Sequence, residues 1–333
     1  MQAVNDVIYE IFPDARVFRI PCHEALSRRS YYFLRQSDLC IIGGTNILAS
    51  KGWRLRWYDP IFLRNAICFG VTWGGTRPKP SFRERILLRR VLDGGQMHSV
   101  RNGYTKKLLD LVGIASVFTS CPTMWALGPE HCAAIPHGKA KNVLFTLTAY
   151  RCEPLADRAM IESLKKHYQT LYFFPQMHGD YAYFRYLNIE GVRVIGQNLK
   201  SYDEFLANEE LDYVGSRLHG GIRALQFKKR TLVIGIDHRS IDIANDTGLP
   251  VLPRTEIKQL ERWVVGSAPT RIKLPIEDIT KWKAHLRLCG NKATGMMGWI
   301  RTYQDQAADR RYSEMEGTSS PSLSNTCIRL LSK

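Results

Sequence analysis

The stretch Val214-Gly215-Ser216-Arg217-Leu218-His219-Gly220-Gly221 places an arginine, a histidine and two glycines where a predicted strand turns into a predicted helix. The apolar run before it favours a buried strand over 212–215, and the residues after it have the apolar spacing of a helix over 220–227. A strand that leads directly into a helix presents the free amides of the first helical turn at the end of the sheet. This end of the sheet is therefore suited to binding a small anion.

The first candidate site therefore comprises Arg217, Leu218, His219, Gly220 and Gly221. The guanidinium of Arg217 offers a planar set of donors that matches a phosphate or a carboxylate. His219 can gain or lose a proton near neutral pH, because the ordinary pKa of an imidazole is about 6.5. The two glycines would let the backbone approach a ligand closely. A structural ion pair is the alternative interpretation of Arg217, and the local pattern leaves both open.

Short apolar strands alternate with amphipathic helices along the chain, which predicts an α/β fold with parallel sheets. The predicted strands are 16–20, 38–42, 66–71, 97–100, 142–147, 171–174, 192–195, 212–215 and 231–236. The predicted helices are 2–11, 54–64, 82–92, 104–112, 155–167, 180–187, 202–207, 220–227 and 239–247. Ligands of such sheets lie beyond the carboxyl ends of the strands.

A length of 333 residues predicts two domains of ordinary size. We expect an N-terminal α/β domain over 1–135 and a C-terminal Rossmann-like domain over 140–275, separated by a linker over 133–141. A helical segment over 277–311, with Trp282, Leu286, Met297, Trp299, Ile300 and Tyr303, would pack back over the body. The Ser- and Gly-rich composition predicts a disordered tail over 312–333.

The chain has 47 basic and 31 acidic residues and a formal net charge of +16, which favours an anionic partner. Because the basic residues are spread along the chain and no nucleic-acid motif is present, we expect an acidic substrate or an anionic membrane face and no nucleic acid. No apolar run reaches the roughly 20 residues that cross a bilayer. We therefore expect a cytoplasmic protein, with peripheral association at the inner face of the membrane.

The eight cysteines show no C-x-x-C spacing, and most lie in apolar runs, where cysteine acts as a small buried hydrophobe. His131, Cys132 and His137 lack a fourth ligand at a suitable spacing for zinc. We expect neither a metal nor a cofactor.

Further candidate residues follow other predicted strands. Arg101 comes after strand 97–100 and would hold an anion, with a surface ion pair as its alternative role. Gln176 and His178 follow strand 171–174, while His238 and Arg239 follow strand 231–236. Gly43 and Gly44 end strand 38–42, where they would let the backbone approach an acceptor.

Three stretches together resemble the polysaccharide pyruvyl transferase family over roughly residues 1–250. Ser216-Arg217-Leu218-His219 with the later strand Thr231-Leu232-Val233-Ile234 resembles its C-terminal Arg-Leu-His element. Ile41-Ile42-Gly43-Gly44 resembles its glycine-rich strand end, and Arg101-Asn102-Gly103-Tyr104-Thr105 its R-D-x-x-S/T element, with Asn102 in place of the acidic residue. The family usually begins with a strand, whereas this sequence starts in a helix-like segment. We therefore expect the N-terminal domain to lack that strand.

The resemblance implies two Rossmann-like domains that face each other across a cleft, as in GT-B glycosyltransferases. It implies transfer of the pyruvyl group of phosphoenolpyruvate to a sugar, as a ketal, with release of phosphate. The acceptor would be a glycan or a lipid-linked or nucleotide-linked sugar precursor of an exopolysaccharide. Arg217 would then bind the donor, together with Arg101, His238 and Arg239, and His219 would carry a proton or donate to the phosphate.

Two alternatives remain. A GT-B glycosyltransferase that uses a nucleotide sugar would share the basic loop, and Asp237 and Asp242 are the carboxylates available near it for a ribose. A basic protein that binds nucleic acid or a membrane surface would show affinity that falls steeply with salt. Loops 21–35 and 49–58, the latter with Trp53 and Trp57, are candidate sugar-stacking loops, although core packing explains aromatic residues equally well.

Overall fold

The computed structural model describes residues 2–44, 46–48, 53–63, 66–74, 79–296 and 326–331, with side chains described up to Gly290. The chain forms two compact units. Unit 1 comprises Met1–Pro122 and Pro275–Lys333, and unit 2 comprises Thr123–Leu274. Both are built from alternating strands and helices, so the predicted α/β class is confirmed.

Unit 1 contains a mixed four-stranded sheet and a parallel two-stranded sheet, with helices along the chain between most of their strands. The strands are β1 (Arg16–Pro21), β2 (Leu39–Gly43), β3 (Ile67–Phe69), β4 (His98–Val100) and β5 (Ser116–Phe118). The helices are α1 (Gln2–Ile11), α2 (Arg28–Gln36), α3 (Pro60–Leu63), α4 (Phe82–Leu92) and α5 (Gly103–Val112). Strands β2 and β3 pair in parallel, β4 and β5 pair in parallel, and a bridge between Val71 and Val100 links the two pairs.

Unit 2 contains a six-stranded parallel sheet. Its strands are β6 (Asn142–Thr146), β7 (Thr170–Phe173), β8 (Val192–Val194), β9 (Leu211–Gly215), β10 (Thr231–Gly235) and β11 (Val251–Pro253). Its helices are α6 (Pro129–Ala133), α7 (Pro154–His167), α8 (His178–Leu187), α9 (Leu199–Asn208), α10 (Leu218–Gln226), α11 (His238–Thr247) and α12 (Leu260–Val265). The order β8-β7-β6-β9-β10-β11 is the Rossmann order 3-2-1-4-5-6, so the prediction of a Rossmann-like unit is confirmed.

Both faces of the unit 2 sheet are covered, because neighbouring strand residues point to opposite sides. Val143 and Phe145 lie in one core cluster with Leu164 of α7 and Phe184 of α8. Leu144, between them, lies in a second cluster with residues of α9 and α10 such as Tyr202 and Ala224. This double burial explains why the strands appear in the sequence as continuous apolar runs.

The boundary between the units lies at Pro122 and Thr123, and the predicted linker over 133–141 is therefore placed too late. Residues before the predicted linker are anchored to helix α10 of unit 2. The Nε2 atom of His131 donates to the carbonyl of Leu225 at 2.8 Å, and the side-chain amide of Gln226 donates to the carbonyl of Thr123. These bonds connect segments about a hundred residues apart, which the local composition does not reveal.

The C-terminal segment is part of unit 1. Helix α13 (Ile276–Met296) begins where the predicted helical segment 277–311 begins, and residues 297–311 lie outside the described part. Its Trp282 is fully buried and packs against Phe69 with the ring centres 4.4 Å apart and the planes tilted by 34°. Its indole N–H donates to the carbonyl of Met97 at 3.1 Å. The described part of this segment therefore packs on the sheet that precedes it by two hundred residues.

A final strand, β12 (Thr326–Leu331), lies between β1 and β2 and pairs antiparallel with both. The prediction of a disordered tail is therefore wrong for these six residues, while 312–325 and 332–333 lie outside the described part. The short alternation Ile328-Arg329-Leu330 was the available strand signal. The prediction that unit 1 lacks a first strand stays untested.

Two predictions inside unit 1 need correction. Within the described residues 54–63, the helix expected over 54–64 comprises only Pro60–Leu63, because proline can start a helix but interrupts its hydrogen bonds elsewhere. Helix α2 lies in the stretch 21–35 that we had interpreted as a loop. Ser27 caps it through a hydrogen bond from the amide of Ser30 at 3.1 Å. Trp53 of the second predicted loop is buried in the core, whereas Trp57 is 81% exposed.

Candidate functional site

The strand order of unit 2 identifies a place for a ligand at the carboxyl ends of two central strands. Strands β6 and β9 are neighbours, and the chain winds away from them in opposite directions. The loops that follow their carboxyl ends separate there and leave a crevice. These loops are residues 147–151 after β6 and residues 216–217 before α10. The stretch around Arg217 and His219 is therefore at the topological switch point.

A network around Thr146 fixes the turn out of β9. A Cβ on Gly215 would lie 2.3 Å from Oγ1 of Thr146, so this position needs a glycine. The amide of Ser216 donates to the carbonyl of Thr146 at 3.1 Å, and the amide of Arg217 donates to Oγ1 of Thr146 at 3.2 Å. The hydroxyl of Tyr213 donates to the carbonyl of Arg217 at 2.9 Å. Strand ends β6 and β9 are thus fastened to each other just below the crevice.

Arg217 forms an internal ion pair. Its Nε atom donates to Oδ2 of Asp180 at 3.1 Å and to the carbonyl of Leu147 at 3.2 Å, and its Nη2 atom donates to Oδ1 of Asp180. Arg217 is 6% exposed and Asp180 is fully buried. Of the two interpretations of Arg217, the structure shows the ion pair. The charge of the guanidinium is balanced by a carboxylate, and its role as the main anion ligand stays a prediction.

Asp180 connects three loops of the candidate site. Besides Arg217, its carboxylate accepts the amide of Ala149 at 3.0 Å and the amide of Met177 at 2.9 Å. The loop after β6, the start of α8 after β7 and the turn after β9 therefore share one buried anion. Sequence reasoning missed Asp180, and its acidic position in the first turn of a predicted helix was the available signal.

His219 lies in the first turn of α10 and is exposed. Its position is fixed by its neighbours, because the amide of Gly221 donates to the carbonyl of Arg217 at 3.0 Å and the hydroxyl of Tyr202 donates to the carbonyl of Gly220 at 2.8 Å. An exposed imidazole held at the end of a sheet is suited to proton transfer. Leu218 beside it is half-buried.

Gly220 and Gly221 serve the packing of α10 on the sheet. A Cβ on Gly221 would lie 2.6 Å from Cγ2 of Val233, and a Cβ on Gly220 would lie 2.9 Å from the hydroxyl oxygen of Tyr213. Both glycines are buried. Their missing side chains therefore make room for β9 and β10, and their role in ligand approach stays a prediction.

The loop after β10 brings a second arginine to the same end of the sheet. Asp237 caps α11, accepting the amide of Arg239 at 3.0 Å and its Nε at 3.0 Å. Burial raises the pKa of the Asp237 carboxyl, but the hydrogen bonds and charge of Arg239 outweigh this effect and the pKa is lowered. The same Asp237 hydrogen bond, with a smaller one from Tyr150, raises the pKa of Arg239. His238, between Asp237 and Arg239, is exposed.

Tyr150 connects the two arginines. Its ring centre lies 5.1 Å from the Cζ atom of Arg217, and its hydroxyl interacts with Arg239. It is 58% exposed, and sequence reasoning gave no signal for it. Gln176 is exposed nearby, with its Oε1 atom 3.6 Å from the point where a Cβ on Gly220 would lie. The structure therefore brings Gln176, His219 and Arg239 to one end of the sheet, as predicted from their positions after strands. His178, at the start of α8, is also exposed.

Unit 1 holds a separate candidate, Arg101, directly after β4. Its amide donates to the carbonyl of Val71 at 2.8 Å, which fixes the backbone at the carboxyl ends of β3 and β4. The residue is 7% exposed, and its Nε atom is buried without a hydrogen-bond partner among the described residues. Its alternative role as a surface ion pair is not what the described part of the chain shows. A buried guanidinium with an unpaired donor is a candidate anion ligand.

The family-like element Arg101-Asn102-Gly103-Tyr104-Thr105 is a helix cap. The Oδ1 atom of Asn102 accepts the amide of Thr105 at 3.0 Å and the hydroxyl of Thr105 at 2.6 Å, at the start of α5. Asn and Asp cap helices about equally well. The replacement of an acidic residue by Asn102 therefore preserves the structural role of this position.

The glycines that end β2 differ in conformation. Gly44 has φ of +54°, which favours glycine, and its amide donates to the carbonyl of Phe69 at 2.7 Å. Gly43 is a buried member of β2. Neither observation tests their predicted contact with an acceptor.

Within the described part of the chain, no group of three or more His, Cys, Asp or Glu residues is arranged to hold a metal ion. No helix in that part is long and apolar enough to span a membrane.

Comparison with known proteins gives one family match. The family model for polysaccharide pyruvyl transferases matches residues 1–238. None of the curated proteins matches the sequence.

Three solved structures show low similarity. The UDP-GlcNAc 2-epimerase of Methanocaldococcus jannaschii, in complex with UDP-GlcNAc and UDP, is 11% identical, with a TM-score of 0.40 over 66% of this chain and 68% of that chain. TarM is 11% identical, with a TM-score of 0.39 over 76% and 51% of the two chains. The wall teichoic acid polymerase TagF is 12% identical, with a TM-score of 0.30 over 67% and 61%.

Proposed function

Because the chain belongs to the polysaccharide pyruvyl transferase family, we propose that it transfers the pyruvyl group of phosphoenolpyruvate to a sugar of a polysaccharide or of its precursor. The observation that carries this proposal is the position of the family's Arg-Leu-His element at the switch point of unit 2, where its histidine is exposed and its arginine is fixed by Asp180. The proposed setting is the cytoplasm, where exopolysaccharide precursors are assembled.

The reaction requires one proton to reach carbon and two protons to leave hydroxyl groups. Protonation of the methylene carbon of phosphoenolpyruvate makes C2 electrophilic, and one sugar hydroxyl adds there as it loses its proton. The C2–O bond to phosphate breaks, and phosphate leaves with the electron pair. A second hydroxyl then adds to C2 and closes the ketal, and its proton goes to the released phosphate. His219 is the proposed carrier of the proton to or from the reacting atoms.

Arg217 acts in this proposal as a positioning residue. Its bidentate pair with Asp180 holds the three loops of the switch point together and thereby places His219. The anionic groups of the donor are bound by other groups. In unit 2 the proposed ligand is Arg239, whose side chain is 35% exposed although Asp237 pairs with it, with the exposed His238 beside it. In unit 1, Arg101 is a separate proposed ligand for an anionic group of a substrate. Gln176 and His178 are lower-ranked contacts of the unit 2 site.

The runner-up function, a glycosyltransferase that uses a nucleotide sugar, has weaker support. Its ribose would need a free carboxylate near the loop after β10. Asp237 is committed to the cap of α11 and to both side-chain contacts of Arg239. A ribose hydroxyl would have to displace these contacts.

The test is release of phosphate from phosphoenolpyruvate by the full chain against a panel of glycan and lipid-linked or nucleotide-linked sugar acceptors. We expect release that depends on one acceptor class and yields an acceptor heavier by one pyruvyl ketal. The variant H219N is expected to lower the rate by about 10²- to 10⁴-fold, as loss of a general acid or base does. H137N, at an exposed histidine outside the site, is the matched control.

Two results would overturn this assignment. The first is an H219N variant that releases phosphate at the rate of the original protein. The second is turnover of a nucleotide sugar by a chain that leaves phosphoenolpyruvate unchanged.

A further inference from the structure

The positive charge is concentrated in one stretch of unit 1. Residues 28–92 contain thirteen Lys and Arg residues and three Asp and Glu residues, a net charge of +10 out of +16 for the whole chain. The expectation that the basic residues are spread along the chain is therefore wrong for this stretch. Two of its three acids are buried. Asp59 accepts the hydroxyl of Tyr31, and Glu84 accepts the amide of Ser81 in the cap of α4.

Helix α4 presents apolar side chains on the side that faces water. Phe82 is 77% exposed, and Ile86, one turn later, is 38% exposed. Arg83 and Arg90, both exposed, lie on the same side of the helix, next to this pair. The opposite face, with Leu88 and Val91, is buried in the core of unit 1. Packing in unit 1 uses only the buried face of α4, so the exposed Phe82 and Ile86 are apolar surface that the fold does not require.

Not every arginine of α4 is available to a partner. Nη2 of Arg85 donates to the carbonyl of Leu111 at 3.3 Å, and Nε of Arg89 donates to the carbonyl of Val112 at 2.8 Å. Both bonds satisfy the carboxyl end of α5. Arg83 and Arg90 have no such bond among the described residues. These two arginines therefore supply the charge of α4 that a partner can reach.

The neighbouring helices continue this pattern. Helix α3 contacts α4, and helix α2 contacts α3. Ile61 of α3 is 71% exposed and Trp57, just before it, is 81% exposed. Tyr32 of α2 is 55% exposed, with the exposed arginines Arg28, Arg29 and Arg35 on the same helix. We call the exposed side of these three helices the α2–α4 surface.

We propose that the α2–α4 surface docks the protein on a bilayer that contains anionic phospholipid. Trp, Phe and Ile side chains insert at the boundary between headgroups and acyl chains, while arginines bind the anionic headgroups. A nucleic acid or an acidic glycan would use the charge, but it offers no apolar layer for Ile61, Phe82 and Ile86. The combination of exposed aliphatic and aromatic side chains with arginines therefore favours a lipid surface.

The energetic scale supports reversible attachment. Each arginine near an anionic membrane surface contributes about a fivefold gain in partition. Insertion of two apolar side chains adds a further gain of roughly tenfold or more. The proposal concerns a surface of unit 1 and does not depend on pyruvyl transfer, since it uses none of the residues of the reaction.

The test is sedimentation of the full chain with vesicles of phosphatidylcholine, with or without phosphatidylglycerol, at low and high salt. We expect binding to the anionic vesicles alone, with affinity that falls as salt rises. The double variant R83Q/R90Q should weaken binding roughly twentyfold or more. F82S/I86S should weaken it roughly tenfold and leave more of the salt dependence in place.

Matched controls come from exposed positions of unit 2. Leu155 is 82% exposed and the side chain of Lys200 is 86% exposed, so L155S and K200Q make the same chemical changes elsewhere. Unchanged thermal unfolding of each variant shows that the fold is intact. The proposal fails if neutral vesicles bind as well as anionic ones, or if the α4 variants bind like the controls. It also fails if the protein binds DNA or an acidic polysaccharide but no vesicle. Phosphate release by these variants with a soluble acceptor reports separately on the proposed reaction.

Discussion

Two arginines follow parallel strands in the two units, and the structure gives them different surroundings. Arg217, after β9, is 6% exposed and pairs with the buried carboxylate of Asp180. Arg101, after β4, is 7% exposed and has a buried Nε atom without a hydrogen-bond partner among the described residues. Their sequence positions are alike, and their burial is nearly equal. Arg217 has a structural role because Asp180, from another segment of the chain, pairs with it. Arg101 is a candidate ligand because its Nε atom has no such partner among the described residues.

The largest expected effect follows from removing the partner of Arg217. D180N leaves a buried guanidinium without its counter-ion, so we expect a loss of about 3–5 kcal/mol in the free energy of unfolding. Urea unfolding of the full chain measures it. D203N is the matched control, because the pair of Asp203 and Arg223 is partly exposed and should cost about 1 kcal/mol or less.

A double variant sharpens this prediction. D180N/R217Q removes both charges and should recover part of the loss, because no buried ion remains unpaired. If D180N changed the stability no more than D203N, the interpretation of Arg217 as a structural clamp would be wrong.

The next largest expected effect on stability concerns His98 of β4, the strand that ends just before Arg101. Burial lowers the pKa of His98 to about 4, against the opposing effect of its bond to the carbonyl of Leu92 and with a minor contribution from His285. Nδ1 of His98 accepts the amide of Cys68 at 3.1 Å, and Nε2 donates to the carbonyl of Leu92 at 2.9 Å, so the neutral ring joins β4 to β3 and to the end of α4.

The sign of the pH dependence follows from this shift. The unfolded chain takes up the proton at its ordinary pKa of about 6.5, before the folded chain does. The contribution of His98 is therefore complete above pH 6.5 and is lost as the pH falls towards 4, by about 3 kcal/mol in total. Urea unfolding between pH 7 and 4 measures it, with H98Q as the variant expected to show a shallower slope. Equal slopes for the two proteins would contradict the assignment.

The smallest effect separates capping from ligand binding beside Arg101. N102A should cost about 1 kcal/mol, because α5 loses its cap, and N102D should stay within a few tenths of a kcal/mol of the original protein. Urea unfolding again provides the measurement. A loss for N102D as large as that for N102A would show that this position has another role.

The strands and most helices of unit 2 were predictable because they are covered on both faces and therefore appear as apolar runs. Arg217 and His219 were correctly placed at a strand end for the same reason. The partner of Arg217 was not predictable, since Asp180 is 37 residues away in sequence and no local pattern connects them. The packing role of Gly220 and Gly221 likewise depends on Tyr213 and Val233 of neighbouring strands.

Unit 1 was harder to predict because two of its elements come from the end of the chain. Helix α13 covers its sheet with Trp282, and β12 inserts between β1 and β2. The local sequence of each segment does not reveal which distant segment it packs against. The R-N-x-x-T element, by contrast, is a cap that could have been recognised from Asn102 and Thr105 alone.

The most direct test of the central claim is calorimetric titration of phosphoenolpyruvate into the full chain and its R101Q variant. We expect the original protein to bind phosphoenolpyruvate and R101Q to bind it at least about tenfold more weakly, because a charged hydrogen bond of about 1.5–3 kcal/mol is lost. R223Q, at an arginine already paired with Asp203, is expected to bind like the original protein. Absence of binding by the original protein, or equal affinity in R101Q, would contradict the account.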